Sequence, residues 1–491
     1  MNERLGPLAP EIILAASATA LLLAGSWLPR RRQWIIPLLS TAACLAALAV
    51  TAFTSAGAAT VDFGTSYVVD VATNTVRVIA TAATVAVIGL GARPLRAHPR
   101  ETEFYVLLQL SALGTITLAG AGDLLMLFAA YLLASVPGYA LAGLTADDRG
   151  TEAALKYYLM GALFSVIMLA GITLLDGAGH ATSYPALRAA LPAGPHGVAA
   201  VGVVAVAGGL LFKCGAVPAH FWVPDVTEGT SIPVATFVTT VPKLGGFAAL
   251  IRLLATAIPA ATVDWPLLVA ITAAVTMTLG NLAAFFQASV RRLLAYSAIS
   301  QAGYLLMAVA VAARSGIAVR SLLFYLLAYA ATNVAAFAVA AALPHARVLG
   351  DYRGLAARHP ALAAVLVVSL LGLVGTPPAG VFVGKLEVFT AAIDGGYGWL
   401  AGLAAVNTVA SLFYYLRWLA PVFRPPPTAG PAGAAEVTGA AEAVGVVGAA
   451  GVLQPGGRWA AATAYAAGAA SLVAGLGGAI LLPLVTGHLA G

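Results

Sequence analysis

Apolar residues run along this chain in blocks of about twenty, and the polar residues gather in the short gaps between them. "EIILAASATALLLAGSWL" (11–28) is followed by "PRRRQ" (29–33), and that by "WIIPLLSTAACLAALAVTAF" (34–53). An α-helix rises 1.5 Å per residue, so about 20 residues cross the roughly 30 Å hydrocarbon layer of a bilayer. The pattern predicts about fourteen transmembrane helices, over 9–29, 34–56, 68–92, 104–120, 122–145, 153–176, 197–216, 231–258, 266–287, 291–313, 318–343, 360–391, 397–422 and 459–485. Span twelve (360–391) is too long for one straight helix and contains "GTPPAG" (375–380); span seven ends in "KCGAVP" (213–218). Both read as helices broken by Gly and Pro.

The gaps carry a sidedness signal. In or beside the odd-numbered connections lie Arg30, Arg31, Arg32, Arg93, Arg96, Arg100, Arg149, Arg291, Arg292, Arg347, Arg353, Arg358, Arg424 and Arg458. In or near the even-numbered ones lie Arg188, Arg252, Arg314 and Arg320. Basic residues accumulate on the cytoplasmic side, so this asymmetry predicts cytoplasmic odd connections and both termini outside. An even number of spans demands termini on one side, in agreement. One connection is long: "RPPPTAGPAGAAEVTGAAEAVGVVGAAGVLQPGGR" (424–458), rich in Ala, Gly and Pro, is expected to be a mobile cytoplasmic loop without a packed domain.

Composition sharpens the class. Hydrophobic residues make up 61% and charged residues 9% of the chain, against roughly 25% charged in soluble domains. Mean hydropathy is +0.94 and is spread over the whole length. The net charge of +6 comes from arginines dispersed among loops, which is no nucleic-acid footprint. Glu3 offsets Arg4 and the first apolar run is long enough to span, so it is read as a retained helix rather than a cleaved leader. Cys44 and Cys214 lie alone in apolar runs and read as small core residues. The chain lacks a P-loop, a GxGxxG opening a helix after a strand, and a Cys or His cluster. It is therefore expected to bind no nucleotide, flavin, iron–sulfur cluster, haem or metal itself.

Ionisable residues at membrane depth are costly and mark ion pathways. Lys213 precedes Gly215 and Pro218, after which the chain turns polar through His220, Asp225 and Glu228. Lys243 follows Pro242 in "TTVPKLGG" (239–246), and Lys385 follows "GTPPAG". All three lysines lie beside residues that kink or unwind helices, which is where transporters place their ion sites. In a low-dielectric site a lysine gains and loses its proton nearer neutrality than it does in water, and a line of such groups joined by water relays protons. Snorkelling to the headgroups explains one such lysine more readily than three. Asp70, Asn74 and Arg77 are spaced to form a polar cluster on one face of span three, read as structural pairing.

These residues also resemble a known family. "LLFKCGAVPAHFWVPDVTEGTSIPVATFVTTVPKLGGFAALIRLL" (210–254) is similar to the signature of the antiporter-like membrane subunits of respiratory complex I, the bacterial NADH-quinone oxidoreductase. Further similar segments are "LAPEIIL" (8–14), "ETEFYVLLQLSALG" (101–114), "TEAALKYYLMGALFS" (151–165), "RRLLAYSAISQAGYLL" (291–306), "DYRGLAARHP" (351–360) and "GTPPAGVFVGKLEVF" (375–389). The resemblance implies an all-α polytopic membrane protein with two inverted five-helix repeats, spans 4–8 (101–258) and 9–13 (259–423), in which helices 7 and 12 are broken. Residues 1–100 would then hold the first three spans, and 459–491 the fourteenth. It also implies a multi-pass subunit of the bacterial cell membrane, relaying protons through Lys213, Lys243 and Lys385, with His220 and Gln301 supporting a water chain. Other membrane-arm subunits would be its partners, and NADH, FMN, iron–sulfur clusters and quinone would reside in partner subunits.

Two positions depart from the family pattern. In the family, span five carries a glutamate that pairs with the span-seven lysine; the register set by Ser135, Pro137 and Tyr139 puts Leu132 there, and the acidic residue Asp123 stands only at the helix start. A span-ten histidine is replaced by Gln301, which forms hydrogen bonds but cannot titrate. Losing the glutamate removes the opposite charge beside Lys213, so coupling is expected to be altered or weakened. Two further readings stay open on these residues: a non-pumping assembly paralogue, and a Mrp-type cation/proton antiporter subunit.

Overall fold

In the computed structural model the described residues are 6–55, 59–62, 64–96, 98–425, 457–487 and 489. The predicted 424–458 loop therefore lies almost wholly outside them. The helices are α1 Ala9–Trp27, α2 Ile35–Thr54, α3 Val71–Gly91, α4 Glu101–Ala119, α5 Leu124–Ala142, α6 Asp148–Gly179, α7 Tyr184–Ala190, α8 His196–Cys214, α9 Trp222–Gly229 and α10 Ile232–Arg252. They continue with α11 Trp265–Ala284, α12 Val290–Ala310, α13 Ala318–Ala342, α14 Leu355–Arg358, α15 Pro360–Val374, α16 Gly380–Asp394, α17 Gly398–Val422, α18 Arg458–Leu476 and α19 Gly478–Leu484.

Among the described residues, thirteen helical segments are long and apolar enough to cross a membrane. The remaining expected span, twelve, is α15 and α16, two helices of 15 residues each that cross only as a pair. The order α4, α5, α6, α8 with α9, α10 recurs as α11, α12, α13, α15 with α16, α17, with the fourth member broken each time. Five spans are an odd number, so the second set enters the membrane from the side opposite the first.

The all-α polytopic class holds, with one small addition. A small antiparallel hairpin, β1 Thr60–Asp62 and β2 Tyr67–Val69, sits between α2 and α3, with Thr60 opposite Val69. Its residues are β-branched or aromatic at most positions, and Gly64 takes a φ of +63° at the turn. Span three consequently starts at Val71, where Asp70 caps it by accepting the backbone N–H of Ala72 and Thr73 at 3.1 Å each.

Burial is graded from the rim inward. The α10 segment is 100% buried over its apolar window, α12 94% and α13 89%, whereas α2, α6 and α18 reach 28%. Outer helices turn apolar faces to lipid, and inner helices must satisfy each polar side chain among themselves. Arg252, expected near an outer connection, is wholly enclosed: its guanidinium donates to both carboxylate oxygens of Asp70 at 2.7 and 2.9 Å and to Ala119 O at 3.0 Å. Arg77 donates to both oxygens of Glu11 at 2.7 and 2.8 Å and to Asn74 Oδ1 at 2.9 Å. The anticipated cluster on span three thus splits, because Asp70 serves α10 while Arg77 and Asn74 serve α1. The two buried pairs fasten α1 to α3 and α3 to α10.

Candidate functional site

Span seven breaks where Gly215 adopts a left-handed φ of +68°, a conformation that a side chain would strain. Ala216 N–H then reaches back to Leu211 O at 2.9 Å and Gly215 N–H to Phe212 O at 3.1 Å, closing the end of α8. The Trp222 indole, at the start of α9, donates to the same Phe212 carbonyl at 3.1 Å and stacks on Tyr157 at 4.3 Å between centroids. Span twelve repeats the device: Gly375 has a φ of +93°, and Thr376 N–H reaches Leu371 O at 3.1 Å.

The three lysines are 1%, 1% and 3% exposed, in chain order, so snorkelling is excluded for the chain as it stands. Lys213, in the last turn of α8, donates to Ser135 Oγ on α5 at 2.5 Å and lies 5.1 Å from the Tyr131 ring centroid. Ser135 in turn donates to Tyr131 O at 2.6 Å. Leu132, at the position of the missing glutamate, is half-buried and packs against the core.

Lys243 does not sit at a break of its own helix, contrary to expectation. α10 continues through Pro242, its polar groups met by neighbours: Tyr329 Oη donates to Thr239 O at 2.9 Å. The break beside Lys243 belongs to span seven. A Cβ on Gly215 would come 3.3 Å from Lys243 Nζ, so that glycine provides both the turn and the room for the amine. Lys243 Nζ donates to Ala298 O on α12 at 2.9 Å.

Lys385, one turn into α16, reaches back across the span-twelve break to the last carbonyl of α15, Val374 O, at 2.8 Å. It also lies 3.3 Å from Thr408 Oγ1 and 3.9 Å from the Tyr304 ring centroid. A helix leaves its last carbonyls unpaired and carries partial negative charge at that end, so a cation there is well placed. Gln301 joins the same end: its Nε2 donates to Leu373 O at 2.7 Å, and its Oε1 accepts from Tyr325 Oη at 2.5 Å. Gln301→Leu is expected to leave Leu373 O and Tyr325 Oη buried without partners, costing about 1–3 kcal/mol per group. Thermal unfolding of the assembled complex checks this, with Gln301→Glu as the polar comparison.

His220 is not brought to this array. Its ring lies against Phe221, 4.3 Å between centroids, Nδ1 has no hydrogen-bond partner among the described residues, and no bond joins it to a lysine. Asp225 and Glu228 serve the rim: Asp225 meets Lys156 at 2.9 Å and Arg292 at 3.1 Å, and Glu228 meets Arg291 at 3.8 Å. No salt bridge among the described residues involves Lys213, Lys243 or Lys385, and no described group of His, Cys, Asp and Glu could hold a metal.

Sequence reading missed the neutral partners. Ser135 lies against Lys213, Tyr304 and Thr408 lie against Lys385, and Tyr325 bonds Gln301; beyond Thr408 a buried network joins Asn407, Asn281, Ser300 and Tyr414. The available signal was the recurrence of "GY" after a serine in "SVPGY" (135–139) and "SQAGY" (300–304), each in the second span of its set of five.

Residues 121–411 match the family described as NADH:quinone oxidoreductase/Mrp antiporter, TM. A protein of Streptomyces griseus subsp. griseus named NADH-quinone oxidoreductase subunit N 1 is 54% identical over 482 residues, covering 98% of each chain. The chain belongs to the antiporter-like membrane subunits of NADH-quinone oxidoreductase. The subunit N of a Mycobacterium species is 48% identical over 438 residues, which is 89% of this chain and 93% of that one. Among solved structures, a chain of respiratory complex I from Thermus thermophilus with bound aureothin superposes at a TM-score of 0.80 and 32% identity, covering 98% and 100% of the two chains. A chain of the Mrp complex from a Dietzia species shares the fold, with a TM-score of 0.83 at 24% identity. In this chain each broken span carries a buried lysine, Lys213 in span seven and Lys385 in span twelve.

Proposed function

We propose that this chain is a proton-translocating subunit of the membrane arm of an NADH-quinone oxidoreductase, passing protons along Lys213, Lys243 and Lys385. Electron transfer in partner subunits drives it; NADH, FMN, iron–sulfur clusters and quinone belong to those partners, and this chain contributes no redox centre. It sits in the bacterial cell membrane with its odd connections in the cytoplasm and both termini outside. Residues 101–258 and 259–423 act as two inverted half-units.

One observation carries the reading: three buried lysines are each held, among the described residues, by neutral groups alone. A hydroxyl such as Ser135 can accept from an ammonium or donate to an amine, so either protonation state of Lys213 keeps its hydrogen bond. A backbone carbonyl accepts from either state of Lys243 and Lys385. A carboxylate at hydrogen-bond distance would favour the charged state alone. Neutral partners therefore leave each site able to pass its proton on. Gln301 holds the end of α15 in place beside Lys385, and His220, buried at the span-seven break without a bond to any of the three lysines, serves as a water-chain group there rather than within the lysine array.

Lys243→Ala tests the proposal. The variant complex, reconstituted into vesicles, is expected to assemble yet move markedly fewer protons per NADH oxidised. An unchanged proton-to-electron ratio would overturn the relay and favour an assembly role, to which the absence of a glutamate at Leu132 otherwise points.

A further inference from the structure

A cavity of about 820 Å³ opens laterally between α2, α3, α13 and α18, apart from the lysine array. Its walls are rich in alanine, including Ala82 and Ala86 on α3, Ala330 and Ala331 on α13, and Ala466 and Ala470 on α18. Helices this poor in large side chains cannot fill the space between their axes, so the void follows from composition. The groove reaches from Trp459, at the start of α18, to Ala470, a depth of about 16 Å at 1.5 Å per residue, or roughly half of a 30 Å hydrocarbon layer.

One end is chemically distinct. Trp34, Trp459, Arg96 and Glu101 line it, and all four belong to the starts of α2, α18 and α4 or to the α3–α4 connection. These are the first, thirteenth and third connections, so the mouth lies on the arginine-rich face. Trp34 and Trp459 are 55% and 65% exposed, the disposition of interfacial tryptophans. Arg96 is exposed, and its side chain has no hydrogen bond or ion pair among the described residues. Exposed Arg32 and Arg458 stand just before the two tryptophans, and Arg93 lies against Gly457 beside the start of α18. Glu101 lines the same rim and is buried, the one acidic group among these arginines.

An apolar slot one leaflet deep, mouthed by tryptophan and a collar of arginines, fits the apolar chain and charged headgroup of a membrane lipid. We infer that the groove holds the acyl chain of an anionic phospholipid from the cytoplasmic leaflet, its phosphate at Arg96. The basic collar selects the headgroup charge, and the alanine walls accept the chain. The lipid bridges α2 and α3 to α13 and α18, wedging the first three helices against the second five-helix set.

The test uses the intact complex, washed in detergent and analysed by mass spectrometry, with phosphatidylglycerol and phosphatidylethanolamine as competing probes. Ala466 is exposed to the groove, so Ala466→Phe fills it without a buried clash and is expected to remove one retained phospholipid per complex. Arg96→Gln is expected to keep a lipid but to lower the preference for phosphatidylglycerol by about fivefold, the worth of one basic group near a headgroup. Equal lipid retention in Ala466→Phe and the parent complex would overturn the assignment. So would density for a neighbouring subunit's helix or a quinone in the groove.

Discussion

Replacing Lys385 with alanine is expected to cut NADH-driven proton translocation by the assembled complex by about 10²-fold, the scale lost with a positioned proton-transfer group. Lys385 is the sole buried amine seated across a helix break among the described residues, contacting Val374 O at 2.8 Å and the Tyr304 ring at 3.9 Å. Alanine removes the exchangeable proton and leaves the Val374 carbonyl to water or to nothing. Lys385→Arg separates charge from exchange, because a guanidinium stays protonated under any condition the membrane meets. Translocation should fall in both variants, whereas a purely structural cation would be rescued by arginine. Proton uptake measured against NADH oxidation in vesicles decides; retained pumping in Lys385→Ala removes this lysine from the path.

The largest effect on stability is expected at Asp70→Ala. Arg252 and Asp70 have side-chain exposures of 0% and 1% and form a bidentate pair, so losing the carboxylate strands a buried guanidinium. Breaking such a pair typically costs about 3–5 kcal/mol. Asp70 also caps α3 through Ala72 and Thr73, adding about 1 kcal/mol. The yield of assembled complex should collapse, and its thermal transition should drop by many degrees. Asp70→Asn keeps a cap and a hydrogen-bond acceptor and should be milder. A transition within a degree of the parent in Asp70→Ala would refute the role given to this pair.

The span count, the two breaks and the three lysines were legible because each is a local property of the chain. A block of about twenty apolar residues crosses the bilayer whatever its neighbours do. Gly215 and Gly375 end their helices through a backbone conformation that nearby N–H groups complete. Lys243 shows where that reasoning fails. Pro242 suggested a break at its own position, but a helix packed on every side keeps its path through a proline. The break that matters to Lys243 lies in span seven.

The sequence by itself determined a polytopic helical membrane protein with three lysines inside its apolar spans, since hydropathy and the cost of charge in lipid act residue by residue, but it left Arg252 among the connections. Tertiary structure alone decided what those cations touch. Ser135 is 78 positions from Lys213, and Asp70 is 182 positions from Arg252. A buried polar group takes whatever partner helix packing delivers within about 3 Å, and that distance is set by three-dimensional assembly rather than by spacing along the chain.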